Sequence, residues 1–262
     1  MLALVIGALA LPALALASSG GGSALPGGSP IDSGSGSGTS QATGSSNAIR
    51  NTDTGTSIQN GNLTVSSTGN GITLVTRAST MLRNQLSFSG TAASSQAGQT
   101  VEIERLGHQT NWKWAPTVQA TIGSDGSFSA RWHTNHIGRF SIRARFVGNT
   151  SSYAASASPT VTVTVYRQSI ATEYGDGFWG HKTACGQTLK RSTIGVANRT
   201  LKCGTQVALY YHGRTMIVPV IDRGPYANHA DWDLTVATDN AMGIDGTATI
   251  GAVSLPQQPS GS

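Results

Sequence analysis

Two aspartates eleven positions apart are the residues of this sequence best suited to chemistry. Asp222 closes the apolar run that ends Val218-Pro219-Val220-Ile221 and opens the turn Arg223-Gly224-Pro225, while Asp233 stands just ahead of Leu234 and Thr235. Two carboxyl groups brought to one site can divide the work of general acid and general base, provided the environment holds a proton on one of them. Each also has a purely architectural reading. Asp222 can accept backbone N–H groups of its own turn, and Asp233 can join Thr235 in capping a helix start. Tyr174, Trp179, Tyr226 and Trp232 surround this region and offer flat faces for a C–H-rich ligand, with packing inside a small fold as the competing role. His181 and His229 fall in loops of the same region. The two cysteines, Cys185 and Cys203, are 18 positions apart. In an exported chain they pair most simply as a disulfide worth about 3 kcal/mol, against a reactive thiol or half a zinc site.

The elements that must position these residues occupy 167–256. Ile170 to Tyr174 is expected as a first strand, followed by a loop rich in glycine. Thr205 to Tyr211 turns at His212-Gly213 into Thr215 to Ile221, which predicts a hairpin. Thr235 is expected as the N-cap of one short helix, with Leu234, Ala237 and Ala241 on one face and Gly243 as its stop. Thr247 to Val253 then closes the sheet. A strand, a hairpin, a helix and a strand in so short a span need a closed barrel to bury their few apolar residues.

Ahead of this domain the chain changes character three times. Residues 1–17 are almost wholly apolar and end Ala15-Leu16-Ala17, the small-x-small pattern of a signal peptide, although without the basic n-region that usually precedes it. That run falls short of the roughly 20 residues of a membrane span, so export without a stable membrane anchor is expected. Residues 18–69 are dominated by Gly, Ser, Thr, Ala and Asn, which predicts a flexible linker with a reach of roughly 40 Å. Residues 70–166 carry seven short alternating runs separated by turns, the pattern of an immunoglobulin-like β-sandwich. The fold class expected is therefore mainly β, with the sandwich followed by the barrel and a tail at 257–262. The net charge of +5 resides in the sandwich, where eight Lys and Arg face only Glu102, Glu104 and Asp125. That excess favours polyanions. Trp112, Trp114 and Trp132 of the same region read as packing residues before a sugar-binding face, and His133 and His136 as surface residues. Nowhere do His, Cys and carboxylates gather at ligand spacing, so neither a metal nor an organic cofactor is expected.

Five phrases, in order and spacing, resemble the double-psi β-barrel of the rare lipoprotein A family. They are Glu173-Tyr174-Gly175, Lys182-Thr183-Ala184-Cys185-Gly186, Asn198 through Thr205, Asp222-Arg223-Gly224-Pro225-Tyr226 and Asp233-Leu234-Thr235. Expansins and barwin-type proteins are similar in fold. The resemblance implies six strands around a shallow groove for a β-1,4-linked glycan, here peptidoglycan, and a secreted monomer at the bacterial cell wall or surface. Nucleic acid is not an expected partner. The polyanions open to the basic sandwich would be anionic wall polymers. Carried over by position, the family's catalytic Asp is Asp222, and Asp233 matches the Asp that expansins require. The family's Glu falls on Gln187 and its groove His on Asn198, and neither replacement can move a proton. Thr183, Gln187, Asn198 and Arg223, with the four aromatics named above, are the implied substrate-binding set. Glycoside hydrolysis uses two carboxylates about 5 to 9.5 Å apart. A lytic transglycosylase, in which the sugar's own 6-hydroxyl attacks, can run on one residue that first gives and then takes a proton. The activity implied is that of a lytic transglycosylase with Asp222 as acid/base, the alternative being an expansin-like module that binds or loosens glycan without cutting it.

Overall fold

The structure, a computed structural model, describes residues 49–50, 57–148, 157–227 and 229–257. The expected signal peptide, most of the expected linker and the last five residues of the tail lie outside them. Strands run in the order β1 (Ile49–Arg50), β2 (Ser57–Asn60), β3 (Thr64–Gly69), β4 (Ile72–Arg77), β5 (Ser79–Met81), β6 (Gln85–Ala92), β7 (Thr100–Leu106), β8 (Ala115–Thr121), β9 (Ser127–His133), β10 (Gly138–Phe146), β11 (Val161–Tyr174), β12 (Val196–Ala197), β13 (Gln206–Tyr211), β14 (Arg214–Asp222), β15 (Trp232–Thr235) and β16 (Ala248–Leu255). Helix α1 (Val236–Met242) lies between the last two.

Period-two burial organises the first half. In β6 and β9 every second residue is buried, which puts Leu86, Phe88, Phe128, Ala130 and Trp132 on one face. These strands join β3 and β4 in a four-stranded antiparallel sheet. Val101 and Ile103 of β7, Phe140 and Ile142 of β10, and Val161, Val163 and Val165 of β11 close the same core from the opposite sheet. The outer face of that second sheet is occupied by cross-strand ion pairs. Arg143 meets Glu104 at 2.8 Å, and Arg145 meets Glu102 at 2.6 Å and Glu104 at 2.9 Å. Two of the eight cations are thereby paired within the fold, and the excess of +5 is carried by the others. Arg143 also lies 4.0 Å above the ring of Trp114, and Trp132 is packed edge-on against Phe140, so these two indoles serve the structure.

The second half is a closed ring of six strands in the order β11, β15, β12, β14, β13, β16 and back to β11. The β11/β15 and β12/β14 pairs are parallel and the others antiparallel. Val196, Val207, Leu209, Met216, Val218, Val220, Leu234 and Ile250 fill its interior. The hairpin from β13 to β14 turns through His212 and Gly213 at φ 45 and 81, a pair of left-handed residues that suits a two-residue turn. Thr235 caps α1 by accepting the N–H of Thr238, and Gly243 ends it in the left-handed conformation at φ 71.

Two features differ from the sequence expectation. The stretch expected as linker through residue 69 contains β2 and β3. Ile58 is buried in the barrel core, β2 pairs with β14, and Val65 packs on the sandwich core, so scattered apolar residues in a Ser/Thr-rich run suffice for edge strands. The boundary expected between 166 and 167 falls inside one 14-residue strand, since β11 pairs with β10 through Val165 and with β16 from Arg167 onward. Tyr166, at the crossing, is buried against Ala208 and Val253.

Candidate functional site

Strand register brings the two aspartates to one place. Ala197 of β12 is aligned with Asp222 of β14 on one side and with Asp233 of β15 on the other. The carboxylates thus stand on strands two apart, with backbones separated by roughly 9.5 Å. The alignment needs an irregularity in β14. Val220 pairs with Val196 and Asp222 with Ala197, which leaves Ile221 as the extra residue of a bulge.

Asp222 is half-buried at the end of β14. Its Oδ1 accepts the N–H groups of Ala184 and of Arg223, both at 2.8 Å. Among the described residues Oδ2 receives no hydrogen bond. One oxygen therefore anchors the carboxylate and the other remains open. The architectural reading of Asp222 is met through Oδ1, which accepts both backbone N–H groups. The guanidinium of Arg223 turns away, toward the carbonyls of Asn198 and Asp222 and the Cys203 sulfur.

Asp233 holds a proton more tightly than an ordinary carboxyl group does. Its carboxyl is raised above the ordinary carboxylate range, first by burial and then by the charges of Asp222 and Glu173. The Thr172 hydroxyl opposes this by donating to Asp233 Oδ1 at 2.9 Å. Thr172 is a site residue that sequence reasoning missed. Its place follows from the parallel register of β11 with β15, in which Thr172 is aligned with Asp233, and no local pattern reveals that pairing.

Tyr174, two positions after Thr172, feels both carboxylates. Its phenol is pushed up first by burial, then by the charges of Asp222 and Asp233. The phenol oxygen is buried and has no hydrogen-bond partner. The indole of Trp179 packs over Gly175, where an added Cβ would come within 2.4 Å of the ring. Its Nε1 donates to Asp176, and Arg191 lies 5.2 Å from the ring centre, so that indole already has neighbours on the loop.

The remaining implied site residues divide. Thr183 is buried with its hydroxyl unpartnered, one residue before the Ala184 N–H that holds Asp222. Gln187 is exposed in the same turn, its carbonyl accepting the Thr183 N–H. Asn198 is engaged locally. Its Oδ1 accepts the N–H groups of Thr200 and Leu201 and its Nδ2 reaches the Asp231 carbonyl. Tyr226 is 80% exposed, and Phe178, which sequence reasoning did not single out, is 58% exposed. Trp232 is a correction: it is 5% exposed and belongs to the barrel core, since it precedes Asp233 on β15 and alternation turns it inward. It offers no face to a ligand. His181 and His229 are exposed in their loops. Cys185 and Cys203 form a disulfide, with Cα atoms 5.7 Å apart, that ties the turn carrying Ala184 to the segment leading into β13.

Residues 166–254 match the family described as "Lytic transglycolase". Over 96 residues the chain is 33% identical to "Probable endolytic peptidoglycan transglycosylase RlpA" of Synechocystis sp., a match covering 36% of this chain and 30% of that protein. It is 36% identical over 85 residues to "Endolytic peptidoglycan transglycosylase RlpA" of Campylobacter jejuni, covering 31% of each. A further "Probable endolytic peptidoglycan transglycosylase RlpA", from Aquifex aeolicus, is 37% identical over 81 residues, covering 30% of this chain and 36% of that one. The chain thus spans about a third of the length of the curated relatives it matches.

Proposed function

Residues 166–254 form a double-psi β-barrel of the rare lipoprotein A type, and on that premise we propose that the protein acts on peptidoglycan glycan strands as a lytic transglycosylase. The observation that carries this reading is the placement of Asp222 and Asp233 on either side of Ala197, one with an open oxygen and the other with a raised proton affinity. In the reaction the bond between C1 and the bridging oxygen breaks, and a bond between C1 and the sugar's own O6 forms. Asp233 delivers its proton to the departing oxygen. Asp222 Oδ2 takes the proton that O6 releases, and exchange with water restores both groups. This assignment moves the acid role from Asp222 to Asp233, because burial and neighbouring charge act on Asp233. Exposed Tyr226 and Gln187 serve as glycan contacts, the protein is exported to the cell wall, and the cations of the sandwich left outside its ion pairs attract anionic wall polymers.

A second reading rests on a specific observation. At the positions where the resemblance to the rare lipoprotein A family implies Glu and His, this chain has Gln187, which is exposed, and Asn198, whose amide is engaged in a turn. A groove without those ionisable groups suits a module that binds glycan without cutting it. Digestion of purified sacculi, intact and stripped of stem peptides by an amidase, separates the two. Mass spectrometry of soluble products showing 1,6-anhydro ends supports the transglycosylase. New reducing ends would indicate hydrolysis instead. Retention on glycan with no soluble product from either substrate would establish the binding module.

A further inference from the structure

Of the three indoles of the sandwich, Trp114 and Trp132 are held in packing contacts, while Trp112 lines a cleft of about 480 Å³ where the sandwich meets the end of the barrel. That volume is within the range of roughly 300 to 1,000 Å³ found for small-ligand sites. Part of the lining is the outer face of β10, which presents Arg139 and Ser141 because Phe140 between them points into the core. Another part is the end of β16, with Ser254. The turn after β7 brings Trp112 to this place. Gly107 lies so close to β10 that an added Cβ would stand 2.8 Å from the Arg139 carbonyl, and the Trp112 N–H donates to the Gly107 carbonyl at 3.0 Å. Trp112 itself holds a left-handed backbone at φ 57, which bulky residues rarely adopt, and the His108 ring stands nearly perpendicular to the indole with centroids 6.5 Å apart. Strain of this kind persists where the surrounding structure imposes a position, as at ligand sites.

Two polar groups of the cleft are unpaired. Among the described residues the Trp112 Nε1–H has no acceptor, and the exposed Arg139 guanidinium has neither an ion pair nor a hydrogen bond. Arg139 is also the only Lys, Arg, Asp or Glu of the lining. A linear polyanion is held by a row of cations. One guanidinium beside an indole, with the amide of Gln109 and the hydroxyls of Ser141 and Ser254 around them, matches instead a sugar with a single acidic group. Arg139 also borders a larger cleft of about 680 Å³, but Tyr166, the one aromatic residue of that lining, is buried. We propose that the Trp112 cleft is a second saccharide site, in which the C–H face of a sugar lies on the indole and a carboxylate of that sugar pairs with Arg139. The site is separate from the carboxylate pair of the barrel. Thr162, which lines the cleft, and Thr172, which meets Asp233, are ten residues apart on β11, about 33 Å along an extended strand. One chain thus holds one polymer at two points, which raises overall affinity with no new contact at the barrel.

The proposal takes its ligand from the glycan-acting reading above, since cleaving the amide that joins a stem peptide to the glycan leaves a carboxylate on the sugar. Wild type, Arg139→Gln and Trp112→Leu are compared for melting temperature and for affinity toward purified stem-peptide-free glycan strands. The same strands with their carboxylates converted to amides serve as the neutral probe. The expected result is about a tenfold loss of affinity for the free-acid strands in each variant. Arg139→Gln should match wild type on the amidated strands, and its melting temperature should be unchanged because Arg139 is exposed. Free-acid strands bound by Arg139→Gln as tightly as by wild type would overturn the second site, whatever Trp112→Leu does, and would leave the glycan reading in place. An equal loss on free-acid and amidated strands would overturn the pairing with a carboxylate. Poly(glycerol phosphate) that binds more tightly than the strands, and is weakened by Arg139→Gln, would show a general anion site and overturn the saccharide assignment. No binding of either strand by wild type would remove both readings.

Discussion

Replacement of Asp239 by asparagine should make the protein more stable at neutral pH and leave it little changed in acid. Asp239 lies on α1, is 1% exposed, and has no hydrogen-bond donor on Oδ1. Its Oδ2 is 3.5 Å from the Gly246 N–H. Burial pushes its carboxyl up from 3.8 to about 6. The Gly246 N–H opposes that rise, and the neighbouring carboxylates of Glu173 and Asp245 add to it. The folded chain therefore binds this proton more tightly than the unfolded chain does. The associated stability is fully present below the unfolded value near 4 and is lost as pH rises through about 6. A shift of this size corresponds to a ceiling of about 3 kcal/mol, which rearrangement of the exposed partner Glu173 lowers. Asparagine cannot ionise, so at pH 7.5 the variant should exceed wild type by on the order of 1 to 2 kcal/mol. Below pH 4 the two should converge. Urea denaturation of both proteins across that range isolates Asp239 together with the neighbours that act on it, Glu173 and Asp245, because more distant titrations cancel in the difference. A variant less stable than wild type at pH 7.5, or a difference that does not change with pH, would refute the reasoning.

Three further outcomes follow from particular contacts. Thr172→Val removes the hydroxyl that favours ionised Asp233, so the alkaline limb of the pH–activity profile should move to higher pH, read from product release across a pH series. Cys185→Ala with Cys203→Ala opens a loop of 18 positions and should cost roughly 3 kcal/mol in a denaturation experiment. Trp232→Ala should lose about 3 to 5 kcal/mol as a core truncation, whereas Tyr226→Ala, at a residue 80% exposed, should stay within about 0.5 kcal/mol of wild type and lose glycan retention instead.

The barrel was legible because its signals are local. The hairpin through His212-Gly213, the Thr235 cap and the Gly243 stop each depend on residues close together in sequence, and each stands in the structure where the pattern put it. The core alternation of the sandwich strands was equally open to reading. Two kinds of feature were not. Edge strands β2, β3 and β5 gain much of their stability from backbone pairing, so a Ser- and Thr-rich composition hid them. Site partners joined by parallel pairing, such as Thr172 with Asp233 some sixty positions away, leave no periodic trace. Asn198 and Trp232 illustrate the reverse problem. Their residue types suit a glycan groove, but local hydrogen bonding holds one in a turn and strand alternation turns the other into the core.

The most direct test of the carboxylate pair is the yield of 1,6-anhydro products from stem-peptide-free glycan, measured by mass spectrometry for wild type, Asp222→Asn and Asp233→Asn. Asparagine at 222 keeps an oxygen for the Ala184 and Arg223 N–H groups, so the turn should stay intact and only the proton chemistry should be lost. Wild type should release these products, and each variant should show a fall of at least about 100-fold with its melting temperature unchanged. Wild-type yields from either folded variant would contradict it.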